Sequence, residues 1–350
     1  MGIKQKPFAD RVLEWAHHSG RQHLPWQKHR SVYRVWISEV MLQQTQVDTV
    51  IPYFEKFMQS FPDVGSLASA TQDYVLHHWS GLGYYARARN LHKAAQIIVD
   101  EYGGDFPLEI EQVMALPGIG RSTAGAILSL SFNQHHAILD GNVKRVLARH
   151  TGTYGWPGNG QTEKILWQHA EQRTPKKDNA AYTQAMMDLG ALLCTRSQAD
   201  CERCPVQKDC FAYQTHEQSN LPTKKPKKDH PEKEVVMLVI NSAEQGLLMQ
   251  RRPNSGIWGG LLSFPEFESI LSAIEWFQNQ FSQNGEDYCE HDQIKHVFSH
   301  YSLNIQPISL QLENPSYRVM EQEEWVWYKV QQTQAGVAAP VTQLLKQLCE

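Results

Sequence analysis

Two carboxylates and a cluster of thiols are the side chains of this 350-residue sequence best suited to chemistry. Glu39 lies in Ser31–Gln46, SVYRVWISEVMLQQTQ, a stretch with helical spacing. Its helical neighbours are Val35, Trp36, Leu42 and Gln43, three of them apolar. Such surroundings strip water from a carboxyl and raise its pKa, so it can keep a proton near neutrality and act as a general acid. The alternative is a Glu that reaches solvent at the helix edge. Asp140 stands before a helix, where Asp is a favoured N-cap, and Asn142 and Lys144 add polar groups beside it. One protonated carboxyl and one ionised carboxylate are the pair that glycosidic cleavage needs. The first protonates the leaving group, and the second faces the developing oxocarbenium ion.

Four of the six cysteines fall in the run Cys194-x6-Cys201-x2-Cys204-x5-Cys210, while Cys289 and Cys349 stand alone. Thiolates so close repel and oxidise unless something soft and positive holds them. A [4Fe–4S] cluster or Zn²⁺ would do so. Structural zinc sites usually show two short Cys-x-x-Cys pairs, and here there is one. Arg196 and Lys208 flank the loop and offer positive charge to a polyanion.

Between two helical patterns lies Leu116-Pro-Gly118-Ile-Gly120-Arg121-Ser122-Thr-Ala124. Glycines permit a sharp turn and close approach by another molecule. The free N–H groups of the helix that follows suit a phosphate. This is the helix-hairpin-helix pattern, a sequence-independent grip on a DNA backbone; the plain alternative is a helix–helix turn.

The elements that must position these groups follow from periodicity. Apolar residues recur at three- and four-residue steps in 32–42, 49–57, 84–98, 109–116, 122–132, 141–149 and 182–193, which predicts an all-α region over 8–212. Ser219–Glu234, rich in Pro and Lys, reads as a solvated linker that can also meet phosphates. Beyond it, strands are predicted at 235–240, 247–250, 302–312 and 325–330, with helices at 268–281 and 340–349, an α+β domain. The organisation is therefore 1–218 helical, with the cysteine loop 194–210; 219–233 linker; and 234–350 α+β. Residues 1–228 carry 26 Lys+Arg against 21 Asp+Glu, and residues 229–350 carry 7 against 16, so the first domain is the candidate for a polyanion. No apolar run approaches a membrane span and no signal peptide is legible, so a cytoplasmic (or nucleoid) protein is expected, acting as a monomer.

Taken together these residues resemble the endonuclease III superfamily of base-excision glycosylases, and within it the MutY family of adenine glycosylases. The resemblance covers nearly the whole chain. It rests on Leu24-Pro-Trp-Gln27, Ser38–Gln46, Gly81–Asn90, the hairpin, Ile138–Val146, Gln184–Ala191 and the four cysteines. It implies that Glu39 protonates N7 of adenine and Asp140 stabilises the sugar cation. Gln43 and Gln44 would enter the gap in the duplex. Arg21, Leu24, Trp26 and Tyr84 would shape the pocket or hold the lesion strand. Gly118, Gly120 and Lys144 would meet the DNA, and the cysteines would ligate a [4Fe–4S] cluster. Ser122 stands where lyase members carry a Schiff-base Lys, so base removal without efficient strand cleavage is expected. The second domain resembles the Nudix-like domain of this family through Gly256–Pro265, without the metal-binding motif for nucleotide hydrolysis. Phe298-Ser299-His300, by itself a turn between strands, matches the loop by which the family reads 8-oxoguanine. The implied partner is duplex DNA with adenine opposite 8-oxoguanine or guanine.

Overall fold

The computed structural model describes residues 6–226, 230–298, 300–313, 324–329 and 333–349. In chain order the helical elements are α1 (Phe8–Ser19), α2 (Val32–Leu42), α3 (Val47–Ser60), α4 (Val64–Ser69), α5 (Gln72–Trp79), α6 (Ala86–Tyr102), α7 (Ile110–Ala115), α8 (Arg121–Phe132), α9 (Gly141–Thr151), α10 (Gly160–Arg173) and α11 (Asn179–Asp188). A π-helical turn, Leu189–Leu193, extends α11; a 3₁₀ turn, Gln207–Asp209, and α12 (Phe211–Gln214) follow. Then come β1 (Glu232–Ser242), β2 (Gly246–Arg251), β3 (Leu262–Ser263), β4 (Glu266–Phe267), α13 (Ile270–Phe281), β5 (Cys289–Glu290), β6 (Ile294–Val297), β7 (Ser302–Gln311), β8 (Trp325–Tyr328) and α14 (Ala339–Cys349).

Packing divides the chain into two units. One comprises Met1–Ser69 with Asn90–Lys227, and the other Ala70–Arg89 with Lys228–Glu350. The sequence reading keeps 70–89 with the helical domain; backbone proximity groups Ala70–Arg89 with the C-terminal unit instead. The expected linker is also partly docked. Leu221 is buried, its carbonyl accepts from Arg149 Nε at 2.8 Å, and Thr223 Oγ1 accepts from Gly155 N.

At the centre of the first unit, α8 is buried from Ala124 through Leu130, with α2 and α11 against it. A helix apolar all round must be enclosed, and Gly125 lets the chain pass close: a Cβ there would sit 2.7 Å from Ala137 O. In the second unit the sheet runs β3-β2-β1-β7-β5, with β1 and β7 parallel from Glu232↔Ser302 to Asn241↔Gln311. Both faces of β1 are buried over Val236–Ile240, which explains its unbroken apolar run. Val236, Leu238 and Ile240 share a core with Ala273, Phe277 and Phe281 of α13. Among the described residues no helix is long and apolar enough to cross a membrane.

Candidate active site

Ser31 Oγ caps α2 by accepting from Arg34 N at 3.2 Å, and α2 buries Tyr33, Val35–Ser38, Val40 and Met41. Glu39 is the half-buried exception in this run. It lines a cavity of about 660 Å³ together with Asp140, Asn142, Ser122, Arg21, Leu24, Trp26, Gln43 and Gln44. Burial, reinforced by the nearby Asp140 carboxylate, pushes the Glu39 pKa up to about 8.

Asp140 caps α9, with Oδ1 accepting from Val143 N at 2.8 Å and Oδ2 from Asn142 Nδ2 at 3.4 Å. Burial raises its pKa as well, where the sequence reading takes it as a plain carboxylate. The Val143 amide, the Arg145 guanidinium and Asn142 pull the other way. Of the two, Asp140 is the one supplied with donors to its anion.

Arg145 holds this corner together. Its Nη2 donates to Asn142 Oδ1 at 2.9 Å and to Gly190 O at 2.8 Å, and its Nε donates to Cys194 O at 2.7 Å. One guanidinium thus joins α9, the π-turn and the first cysteine. Gly190 is required by the same closeness, since a Cβ there would lie 2.5 Å from Asn142 Cβ. Ser122 Oγ accepts from Leu139 N at 2.9 Å and so steadies the main chain that enters Asp140.

The wall formed by residues 21–27 hangs on buried Asp188. Its Oδ2 accepts from Arg21 N at 2.9 Å, and its Oδ1 from Arg21 Nε at 2.7 Å and Gln184 Nε2 at 3.0 Å. Gln27 closes the loop, accepting from Leu24 N and donating to Arg21 O. Leu24 and Trp26 are buried, Trp26 edge-on to Phe54 with centroids 5.5 Å apart. Sequence reasoning quoted the segments holding Arg145, Gln184 and Asp188 without assigning them roles. The available signal was spacing: Arg145 is one turn after Asn142, and Gln184 one turn before Asp188.

Other expected site residues lie outside this cavity. Lys144 Nζ is paired with Glu163 Oε1 at 2.6 Å. In the hairpin, Gly118 has φ 79° and a Cβ there would meet Asn90 Cβ at 2.9 Å, so glycine is needed. Gly120 has an ordinary φ of −88° and open space beside it, in front of α8, which no side chain caps. Arg121 turns to α10, over the Trp167 ring at 4.0 Å and against Glu171. Tyr84, in the second unit, is 54% exposed with a left-handed φ of 49°. Phe298 directly follows β6, with its ring 5.2 Å from Trp258 and 4.8 Å from Tyr301, and His300 is exposed beside it. Ser299 lies outside the described residues.

Cys194, Cys201, Cys204 and Cys210 line one small cavity. Burial pushes the Cys204 thiol up to about 12 and raises Cys201 and Cys210, and the neighbouring thiols add to each shift. Among the described residues no group of three or more His, Cys, Asp or Glu side chains is arranged to hold a single metal ion. Buried Arg149 donates to Cys194 Sγ at 3.4 Å and to Thr195 O at 2.7 Å. Burial and repulsion thus oppose thiolate formation at Cys201, Cys204 and Cys210, which suits a group that brings its own positive charge.

Comparison with known proteins agrees with this geometry. Residues 37–172 match the HhH-GPD superfamily of base excision DNA repair proteins, and residues 235–347 match the NUDIX domain. The chain is 41% identical to an adenine DNA glycosylase of Buchnera aphidicola from Acyrthosiphon pisum, over 97% of both chains. It is 32% identical to the human adenine DNA glycosylase, covering 91% of this chain and 71% of that one. A thermostable thymine-DNA glycosylase superposes with a TM-score of 0.53 at 26% identity, covering 59% of this chain and 95% of its own.

Proposed function

Because this chain belongs to the adenine DNA glycosylase family of the HhH-GPD superfamily, we propose that an extruded adenine loses its sugar in the cavity between Glu39 and Asp140. The enzyme removes adenine in base excision repair. In our reading, the bond from C1′ to the purine breaks with its electron pair leaving on the base, whose N7 takes the proton of Glu39. Asp140 faces the oxocarbenium ion left behind. Water then adds to C1′ and returns a proton to Glu39, so acid and atoms balance. The observation that carries this is a carboxyl with pKa about 8 sharing one nucleotide-sized cavity with a second carboxyl fixed at a helix N-cap.

The supporting roles follow. Gln43 and Gln44, at the end of α2 and on the cavity rim, fill the gap left by the flipped base. The open space at Gly120 accepts a phosphate, and Gly118 shapes the turn. Lys144 serves the backbone once released from Glu163. Arg21, Leu24 and Trp26 form the pocket wall. Phe298, Ser299 and His300, with Tyr84, read 8-oxoguanine or guanine opposite the adenine. Cys194, Cys201, Cys204 and Cys210 hold a [4Fe–4S] cluster, which supplies positive charge to the thiolates and ties the loop together. Ser122 is bound to Leu139 N and carries no amine, so strand cleavage is not part of the reaction.

The test is a duplex with adenine opposite 8-oxoguanine or guanine. Free adenine, with strand breaks only after hot alkali, is the expected result. Breaks without alkali would mean a lyase, and tight binding without adenine would mean a non-catalytic reader.

A further inference from the structure

We propose that the Arg251–Asp73 pair is a positioning device that fastens the Tyr84 turn to the sheet carrying Phe298 and His300, so that one rigid body reads the base opposite the adenine. This rests on the reading of those residues given above.

Arg251 closes β2 and is itself firmly held: it faces Leu262 of β3 in register, and its N donates to Glu324 O at 2.6 Å. Its guanidinium meets the Asp73 carboxylate end-on, Nη1 to Oδ1 at 2.5 Å and Nη2 to Oδ2 at 2.7 Å. Two parallel bonds fix direction as well as distance. Asp73 lies in the first turn of α5, where the helix dipole favours an anion. Three further contacts tie α5 and the start of α6 to the loop that follows Arg251 or to Gly336. Gln72 Nε2 donates to Asn254 Oδ1 at 3.1 Å, and Arg89 Nη1 donates to Gly259 O. Leu76 fits against Gly336, where an added Cβ would come within 3.0 Å of it.

The same loop is gripped from its other side. Its Trp258 is buried, with its ring 5.2 Å from Phe298 and 5.5 Å from His296. The Tyr84 turn, for its part, is stiffened from beneath. Trp79 Nε1 donates to Gly83 O, and buried Arg87 donates to Leu82 O and Gly83 O while lying between the Trp79 and Tyr84 rings. An unbroken set of contacts therefore runs from Tyr84 through α5 and the 251–260 loop to Phe298. A partly exposed ion pair contributes little to folding stability, so its effect is expected in recognition.

The experiment uses the full chain with Arg251→Gln, Asp73→Asn and the swap Arg251→Asp/Asp73→Arg. Adenine release under single turnover and duplex affinity are measured with 8-oxoguanine and with guanine opposite. Each single substitution should cut the affinity preference for 8-oxoguanine by about three- to tenfold, with melting temperature and the saturated rate on the guanine duplex unchanged. The swap should restore most of the preference. A selective wild type whose preference survives both single substitutions, or loses affinity equally for both duplexes, overturns the pair alone; so does failure of the swap to restore it. A wild type with no preference removes the reader itself, and the pair with it.

Discussion

Removing the Glu39 proton donor should separate activity from stability in opposite directions. With a pKa of about 8, Glu39 is about 90% protonated at pH 7, whereas an ordinary Glu would be about 0.3% protonated, a gain of about 300-fold in the competent form. Adenine release under single turnover should therefore hold from pH 6 to 7.5 and then fall about tenfold per unit above pH 8. The stability sign is the reverse of that for a salt-bridged carboxylate. Between the unfolded value near 4.5 and the folded value near 8, the folded chain binds a proton that the unfolded chain has lost, so stability falls as pH rises. The slope is about 1.4 kcal/mol per unit, an upper figure of roughly 3 kcal/mol by pH 7. Glu39→Gln, neutral at every pH, should release adenine about 10² to 10⁴ times more slowly yet melt about 5–10 °C higher at pH 7.5, with little change at pH 5. Rates and calorimetric melting on the same preparations check this. A wild-type rate that is flat from pH 7 to 10, or a Glu39→Gln enzyme with more than about a tenth of wild-type activity, would remove Glu39 from the acid role.

Three other perturbations probe what holds the pair in place. Arg145→Gln strands Cys194 O, Gly190 O and Asn142 Oδ1, and should lower stability by about 3 kcal/mol and adenine release by 10- to 100-fold at unchanged duplex affinity, read by melting, single-turnover rate and binding. Gly190→Ala pushes a methyl onto Asn142 and should slow release about 100-fold while binding persists; a wild-type rate would show that Asn142 can shift freely. Cys204→Ser should yield protein without stoichiometric iron or visible iron–sulfur absorption and with faster proteolysis between 194 and 210, and full iron content would exclude Cys204 as a ligand.

The parts legible in sequence were those written locally. Helical spacing located α2, α7, α8 and α9 closely, and β1, β2 and β7 followed from apolar runs. Glu39 stands out because three of its four helical neighbours, Val35, Trp36 and Leu42, are apolar. By contrast α1 and α10 were not singled out, and β3, β4 and β5 are two residues each, too short for any period. The π-turn after α11 reads as plain helix, because its five residues are too few to show a change of period. Asp188 and Arg145 act across long separations, 167 residues to Arg21 and 49 to Cys194, and no local pattern encodes such partners. The grouping of 70–89 with the C-terminal unit is equally non-local, Asp73 meeting Arg251 across 178 residues.

Burial raises both Glu39 and Asp140, but the two carboxyls stand at opposite kinds of helix end. Glu39 lies in the last turn of α2, where aligned carbonyls leave partial negative charge and the backbone amides are already bonded within the helix. An anion there gains nothing from the backbone. Asp140 stands at the opposite kind of end, ahead of the free amides of α9, where the Val143 N–H and the Arg145 side chain one turn on both favour the anion. Burial is the largest influence on both carboxyls, and at Asp140 the helix end and its donors work against it, which is the asymmetry that the proposed division between proton donor and cation stabiliser uses.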